Sequence, residues 1–145
     1  MSGLKQFSAN HPNGDQNAAT LRAALDSARE FAAACALDPN TAARLAIVVE
    51  ELVENALTHG AVSPEVAIRL QLERSGERVS IVLEDNGAEF DPRQARDPIE
   101  PRADRGGGVG LALVRAWSEI RSYCRLAGVN RLEIELYPVP PGRCV

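Results

Sequence analysis

Apolar residues recur at intervals of three or four in two segments near the start of the chain, the pattern of helices that bury one face. The first segment, residues 16–36, follows Asp15, which is placed to cap its first turn. The second is predicted to begin at Pro39, after Asp38 as N-cap, and to end near Gly60. The apolar stripes are Leu21, Leu25, Ala28, Phe31 and Cys35 in the first helix, and Leu45, Val48, Val49, Leu52, Val53 and Ala56 in the second.

The pattern then changes to the two-residue alternation of strands. Apolar residues alternate with polar or small ones over residues 65–73, and residues 79–83 are rich in β-branched side chains, so a hairpin turning at Ser75-Gly76 is predicted. Helical spacing returns at residues 109–120. Two further strands are predicted at residues 122–126 and 131–137, around a turn at Gly128-Val129-Asn130.

A long irregular segment separates the hairpin from the third predicted helix. Residues 91–105 contain three prolines and many charges, which predicts a functional lid or a disordered loop. The order helix, helix, two strands, lid, helix, two strands predicts an α+β fold, a two-layer sandwich whose sheet is covered by helices on one face. A length of 145 residues fits one domain.

Composition excludes several classes of function. No apolar run approaches the roughly 18 residues of a membrane span, and the first residues lack a secretory signal, so we expect a soluble, cytoplasmic protein without membrane contact. A net charge of −4 disfavours nucleic acid as a partner. The three cysteines lack CxxC spacing, which favours reduced structural thiols over a zinc site.

Two polar residues interrupt the second helix on the edge of its apolar stripe. Asn55 lies seven residues after Val48 and therefore faces nearly the same way, and Glu51 lies one turn before Asn55. A carboxylate and an amide stacked in this manner can hold a hydrated Mg²⁺ and activate a nearby hydroxyl group. The alternative is that Glu51 belongs to an ordinary solvated face and that Asn55 bonds locally.

Two glycine-containing segments add to this pair. Asp85 ends a predicted strand two residues before Gly87, where its carboxylate can accept a hydrogen bond from an exocyclic amine such as that of adenine, unless the segment is a plain turn. Residues 106–110, GGGVG, precede the third predicted helix and can present backbone N–H groups to a phosphate, unless they are a hinge. The segment lacks the lysine of a Walker A loop.

In this order and spacing the three features resemble the N, G1 and G2 boxes of the Bergerat-fold ATPases, the GHKL superfamily of type II topoisomerases, MutL and histidine kinases. Within it, the chain resembles the anti-sigma factor serine/threonine kinases of the RsbW and SpoIIAB type over residues 4–137. The matching stretches are EELVENALTHG at 50–60, DNGAEFDP at 85–92, GGGVGLALVRAW at 106–117 and NRLEIEL at 130–136. The resemblance implies a histidine kinase-like ATPase domain at 4–137 with a mixed, mostly antiparallel sheet, and residues 138–145 are expected to form a frayed tail.

The resemblance also implies the role of each residue. Glu51 would be the general base, Asn55 would coordinate Mg²⁺ and Asp85 would read adenine. Residues 91–105 would be the ATP lid, and Arg105 is a candidate partner of the γ-phosphate. The implied nucleotide-binding residues are Asn55, Asp85, Gly87, Arg105, Gly106, Gly107, Gly108, Val109, Gly110 and Leu111. One departure from the superfamily is that Asn130-Arg131-Leu132 lacks the threonine that assists adenine binding in many members, which predicts modest adenine affinity.

The function implied by the resemblance is that of an Mg-ATP-dependent serine/threonine protein kinase. It would phosphorylate a STAS-domain anti-anti-sigma partner, sequester a sigma factor alternately and act as a homodimer, with no direct contact to nucleic acid. Two alternatives are a nucleotide-gated binding module that transfers no phosphate, and a detached ATPase domain of a histidine kinase.

Overall fold

The computed structural model describes residues 2–59, 63–93 and 107–138. None of the helices in these ranges is long and apolar enough to cross a membrane. The elements in chain order are β1 (Ser2–Pro12), α1 (Asn17–Ala34), α2 (Pro39–His59), β2 (Glu65–Ser75), β3 (Arg78–Asp85), α3 (Gly107–Trp117), β4 (Ser118–Leu126) and β5 (Val129–Leu136).

The strands form one sheet in the order β1-β2-β3-β5-β4, and every described pairing is antiparallel. Along β2, β3 and β5, buried residues alternate with more exposed ones, so the helices cover one face of the sheet. The predicted two-layer α+β sandwich is therefore confirmed, although the sheet is antiparallel throughout the described residues rather than mixed. The buried strand residues are Val66, Ile68, Leu70, Leu72, Val79, Ile81, Leu83, Leu132, Ile134 and Leu136.

Helix α2 lies at the centre of the core. Four residues of its predicted apolar stripe, Leu45, Val48, Val49 and Val53, are completely buried. The predicted start of the helix is also correct, because Pro39 is its first residue and Asp38 Oδ1 accepts a 2.9 Å hydrogen bond from the Thr41 N–H. The orientation of α2 about its own axis is thus fixed by core packing at one face and by its cap at one end.

Strand β1 was not predicted, because its inward face carries too few large apolar residues to show alternation. The inward positions are Gly3, Lys5, Phe7, Ala9 and His11, and only Phe7 among them is a large apolar side chain.

The predicted N-cap of α1 is wrong as well. The N-cap position is Gln16 rather than Asp15, and its side chain makes no capping hydrogen bond.

The third helix begins two residues earlier and ends three residues earlier than predicted. It stops at Trp117 because residues 118–120 pair with β5 instead, with Ser118 opposite Leu136. The Ser118 hydroxyl donates to the Val114 carbonyl, and the Tyr137 N–H donates to the Trp117 carbonyl at 2.8 Å. These bonds satisfy carbonyls that the end of a helix leaves without partners.

The hairpin between β4 and β5 also turns earlier than predicted. Ala127 and Gly128 adopt positive φ values of 52° and 78°, the left-handed conformation of a two-residue hairpin loop. Val129 and Asn130 consequently belong to β5, whereas the sequence placed both in the turn. This shift brings Asn130 into register with Asp85 of β3.

The left-handed conformation of Ala36, which ends α1, can be tested by substitution. The Leu37 N–H bonds to the Ala32 carbonyl and the Ala36 N–H to the Ala33 carbonyl, which is a Schellman motif, and Ala36 has a φ of 50°. We expect Ala36→Gly to raise the free energy of unfolding by about 0.5–1 kcal/mol, because relief of left-handed strain exceeds the added entropy of the unfolded chain. Urea unfolding of wild type and Ala36→Gly measures this change in the free energy of unfolding.

The matched control is Ala34→Gly, two residues earlier at the last position of the helix, where φ is not positive and the same substitution should therefore destabilise the protein. Equal destabilisation by the two variants would contradict the assignment of Ala36 as the left-handed cap.

Candidate functional site

A pocket opens between α2, α3 and the segment that follows β3. Its walls are mostly apolar, and its polar side chains come from four different elements, α2, β3, β4 and β5, a composition typical of small-molecule sites. The lining residues are Leu52, Asn55 and Ala56 of α2, Leu83 and Asp85 of β3, Gly87, Ala88, Phe90 and Pro92 after β3, Leu111 of α3, Tyr123 of β4, and Asn130 and Leu132 of β5.

The amide of Asn55 faces the interior, as its position seven residues after Val48 predicted. Its Nδ2 atom is buried and has no hydrogen-bond partner among the described residues. Buried polar groups in proteins are nearly always paired, so an amide without a partner beside a pocket indicates a ligand-binding position. The amide oxygen and nitrogen exchange places by a half rotation, so either can be turned to the ligand.

Glu51 lies one turn before Asn55 and meets the first turn of α3. A Cβ atom added to Gly110 would overlap the Glu51 carboxyl group and come within 2.8 Å of its Cγ. Gly110 therefore lets the start of α3 approach the Glu51 side chain. The two elements that the sequence singled out separately, the Glu51–Asn55 pair and the glycine segment, are neighbours in the fold.

The environment of Glu51 suits proton transfer. Burial raises the pKa of Glu51, and the negative charges of Glu54 and Glu50 on the same helix raise it further. A carboxylate with a raised pKa is a stronger base than one in water.

The glycine segment is placed differently from the prediction. Residues 107–110 form the first turn of α3 rather than a loop before it, so Gly107, Gly108, Val109 and Gly110 all lie inside the helix. The N–H groups of a first turn lack intrahelical acceptors, so this turn can still bind an anion. Leu111 follows and lines the pocket. Arg105, Gly106 and most of the predicted lid, residues 94–105, lie outside the described residues.

Asp85 is the last residue of β3 and faces the pocket, as the strand pattern predicted. Its Oδ1 atom accepts hydrogen bonds from the Gly87 N–H at 2.9 Å and from Asn130 Nδ2 at 3.1 Å. Its Oδ2 atom accepts none from the described residues. Burial raises the pKa of Asp85, while both hydrogen bonds and the charge of Arg125 act in the opposite direction.

The segment after β3 is held at both ends. Asn86 bonds back to β2, its Oδ1 accepting the Ala67 N–H at 3.0 Å and its Nδ2 donating to the Glu65 carbonyl at 2.9 Å. Further along, Arg115 of α3 donates to the Pro92 carbonyl at 2.8 Å. A plain Asn-Gly turn therefore does not fully describe this segment. The Asn86 side chain is bonded to β2, and Gly87 lies in the wall of the pocket.

Asn130 is the site residue that sequence reasoning assigned wrongly. It is 4% exposed and bonds to Asp85, yet the sequence placed it in a turn because asparagine is a common turn residue. A hairpin turn of two residues at Ala127-Gly128 would have moved it into β5. Tyr123 and Arg125, which bond to Asn130, gave no signal of their own in the sequence.

The contact between Glu51 and Gly110 can be measured as a coupling energy. Gly→Ala inside a helix normally stabilises by roughly 1 kcal/mol. We expect Gly110→Ala to be less favourable by at least about 1 kcal/mol when Glu51 is present than in the Glu51→Ala background, where the overlapping atoms are absent. Urea unfolding of the four proteins gives the coupling, and purely additive effects would show that the two residues do not touch.

Comparison with known proteins agrees with this geometry. The histidine kinase-like ATPase domain family matches residues 15–134 of the chain. The serine/threonine-protein kinase BtrW of Bordetella bronchiseptica is 35% identical over 101 residues, which cover 66% of this chain and 70% of BtrW. The alginate biosynthesis sensor protein KinB of Pseudomonas aeruginosa is 41% identical over 69 residues, which cover 46% of this chain and 11% of KinB.

The fold has a solved counterpart. A chain in the crystal structure of the SiaB-SiaC complex from Pseudomonas aeruginosa superposes with a TM-score of 0.59 over 90% of this chain and 88% of that chain, at 17% identity. At that identity the likeness concerns the fold alone. Together with the family match and the similarity to BtrW, it confirms the resemblance found in the motifs: the chain belongs to the histidine kinase-like ATPase domain family, which implies that it binds ATP.

Proposed function

We propose that this chain is a serine/threonine protein kinase that transfers the γ-phosphate of Mg-ATP to a STAS-domain anti-anti-sigma protein and alternately sequesters a sigma factor. It acts as a homodimer in the cytoplasm. The observation that carries the proposal is the convergence of Glu51, Asn55 and the first turn of α3 beside the Asp85 pocket. The similarity to BtrW, named a serine/threonine-protein kinase, supports the type of reaction.

The part of the pocket around Asp85, Gly87 and Leu111, called the base pocket below, suits adenine. The apolar side chains of Leu52, Leu83 and Leu111 provide the walls for a flat ring. The Oδ2 atom of Asp85 accepts from the exocyclic amine of the base, and an ionised carboxylate in that position repels the carbonyl oxygen that guanine carries instead. Gly87, with no side chain, lets the ring approach the backbone.

The phosphate end of the site fits magnesium. Mg²⁺ keeps several waters, binds substrate phosphates and takes only one or two protein ligands, so the Asn55 amide oxygen is a sufficient contribution from this chain. Among the described residues no group of three or more His, Cys, Asp or Glu side chains could hold a metal ion. Bound Mg-ATP supplies the phosphoryl group and the neutralisation of its charge.

Glu51 then acts on the partner's hydroxyl group. Its carboxylate accepts the serine or threonine proton as the oxygen attacks the γ-phosphorus and the bond to the departing ADP breaks. The raised pKa of Glu51 matches this task better than that of an ordinary glutamate would. The first turn of α3, which touches Glu51 through Gly110, offers N–H donors to the phosphates. Arg105 is proposed as a further partner of the γ-phosphate.

The match to the histidine kinase-like ATPase domain family, together with the similarity to the sensor protein KinB, favours a second candidate, the ATPase domain of a histidine kinase. The same pocket would then serve a histidine acceptor on another segment or chain. The two candidates differ in the phosphorylated product, because phosphohistidine is labile in acid, whereas phosphoserine and phosphothreonine are stable.

A transfer assay with labelled γ-phosphate tests the proposal. Wild-type protein and Mg-ATP are mixed with candidate STAS-domain proteins, and ATP affinity is measured in parallel. We expect Glu51→Gln to lower transfer by about 10²- to 10⁴-fold, the usual contribution of a general base, with ATP affinity changed little. Glu73→Gln, on the opposite face of the sheet, is the matched control and should leave transfer unchanged.

Each outcome of the transfer assay distinguishes between the candidate functions. An acid-stable product that requires Glu51 supports the serine/threonine kinase. An acid-labile product favours the histidine kinase domain, and ATP binding without transfer to any STAS candidate favours a nucleotide-gated binding module. A chain that does not bind ATP would refute all three.

The pH dependence of transfer gives a separate prediction. A general base works when ionised, so transfer at saturating ATP should fall as the pH falls through the raised pKa of Glu51. Glu54→Gln removes a negative charge that raises this pKa, so the acid limb should move to lower pH. Glu73→Gln removes the same charge far from Glu51 and should not move it; equal shifts in both variants would exclude Glu51 as the titrating group.

A further inference from the structure

A row of hydrogen-bonded side chains crosses three strands beneath the base pocket. In the registers of the sheet, Asp85 of β3 lies opposite Asn130 of β5, and Asn130 lies opposite Arg125 of β4. Tyr123 lies two residues before Arg125 on the same face and reaches the same amide. Neighbouring strands thus bring four polar side chains together at the pocket floor.

The hydrogen-bonding capacity of Asn130 is fully used within the protein. Its Nδ2 atom donates to Asp85 Oδ1 at 3.1 Å and to the carbonyls of Ala88 at 2.8 Å and Gly87 at 3.3 Å. Its Oδ1 atom accepts from the Tyr123 hydroxyl at 2.6 Å and from Arg125 Nη1 at 2.8 Å. An asparagine amide offers two donors and two acceptor positions, so none remains for a ligand.

The partners also fix which way the amide points. The carbonyls of Ala88 and Gly87 only accept, and Arg125 only donates, so a half rotation of the amide would place like groups against each other. The NH₂ group is therefore directed at Asp85 without ambiguity. With Oδ1 of Asp85 bound by Asn130 and by the Gly87 N–H, the carboxylate is held in one orientation, with Oδ2 left to face a ligand.

We propose that Asn130, locked by Tyr123 and Arg125, is a positioning residue for base selection, which holds the Asp85 carboxylate so that a single oxygen meets the 6-amino group of a purine. Asn130 lines the pocket but has no hydrogen-bonding group left for the base. The inference rests on the ATP binding of the proposed function, and adds that selectivity for a 6-aminopurine over a 6-oxopurine depends on a residue that makes no hydrogen bond to either.

The test compares affinities for ATP and for inosine triphosphate, which carries a carbonyl oxygen in place of the 6-amino group. Isothermal titration calorimetry on the full chain should show that wild type prefers ATP. We expect Asn130→Ala to weaken ATP binding about tenfold, the effect of losing one hydrogen bond to a charged group. Binding of inosine triphosphate should change less, so the preference should fall.

A pH profile separates positioning from a general loss of structure. Asn130 donates to the ionised form of Asp85 and lowers its pKa, so in Asn130→Ala the acid loss of ATP affinity should begin at higher pH. Arg125 from β4 is the charged group that acts on Asp85, and the pocket side chains from α2 and α3, Leu52, Asn55, Ala56 and Leu111, do not titrate. Glu51 of α2 also titrates, but Asn130 is not among the groups that shift its pKa, so the difference between the wild-type and Asn130→Ala profiles reports on Asp85.

Two further variants keep the test decisive. Ile134→Val, on the same face of β5 and completely buried, removes one methylene from the core and should change neither the ATP preference nor the pH profile. Tyr123→Phe removes only the hydroxyl that donates to Asn130 and should lower the ATP preference in the same direction, to a smaller extent.

If Asn130→Ala and Tyr123→Phe both fold and leave the ATP preference and the pH profile unchanged, the role of Asn130 is overturned while the proposed function stays intact. Failure of wild type to bind ATP would overturn both.

Discussion

The site depends on how the apolar stripe of α2 packs against the sheet. Leu45, Val48, Val49 and Val53 are completely buried, so the helix cannot rotate about its axis without exposing them. Each of these side chains contributes roughly 1.5–3 kcal/mol when removed from water, far more than any orientation of a surface carboxylate could offset. The directions of Glu51 and Asn55 follow from this packing, since both lie on the edge of the same stripe.

The polar groups of the candidate site are held at a cost to stability. Burial raises the pKa of both Glu51 and Asp85, so the folded protein binds these protons more tightly than the unfolded chain does. Their contribution to stability is therefore present in full below the unfolded pKa and is lost as the pH rises through the folded pKa. Asn55 adds a buried amide atom with no partner among the described residues. Such groups persist where a ligand needs them.

The end of the pocket that contains Asp85 depends on sheet register rather than on helix packing. Asp85, Asn130 and Arg125 come from three strands, and their contact requires β5 to pair with both β3 and β4. Since a slip of one residue would turn every side chain of a strand to the other face, the buried residues of β5, Leu132, Ile134 and Leu136, keep Asn130 in place. The core residues of that strand thus secure the position of a polar group that the pocket needs.

The sequence by itself determined the elements with strong local signals. Helix α2 was predicted from its apolar period and its Asp38-Pro39 start, and the β2–β3 hairpin from its alternation, because these signals act between residues close in the chain. The turn of that hairpin lies at Gly76-Glu77, one residue later than the predicted Ser75-Gly76, because Ser75 pairs with Arg78. The same local patterns selected Glu51, Asn55, Asp85 and the glycine segment as candidates, and their spacing along the chain was enough to indicate the family.

Tertiary structure decided what local signals leave open. Strand β1, with only Phe7 as a large inward apolar residue, is stabilised by pairing with β2 along its whole length. Residues 118–120 have a helical period but pair with β5, and Asn130 has the propensity of a turn but lies in a strand. In each case hydrogen bonds to a distant strand outweighed a weak local preference. The contact of Glu51 with Gly110, and the row from Asp85 to Arg125, join residues far apart in sequence, so only the folded chain could bring them together.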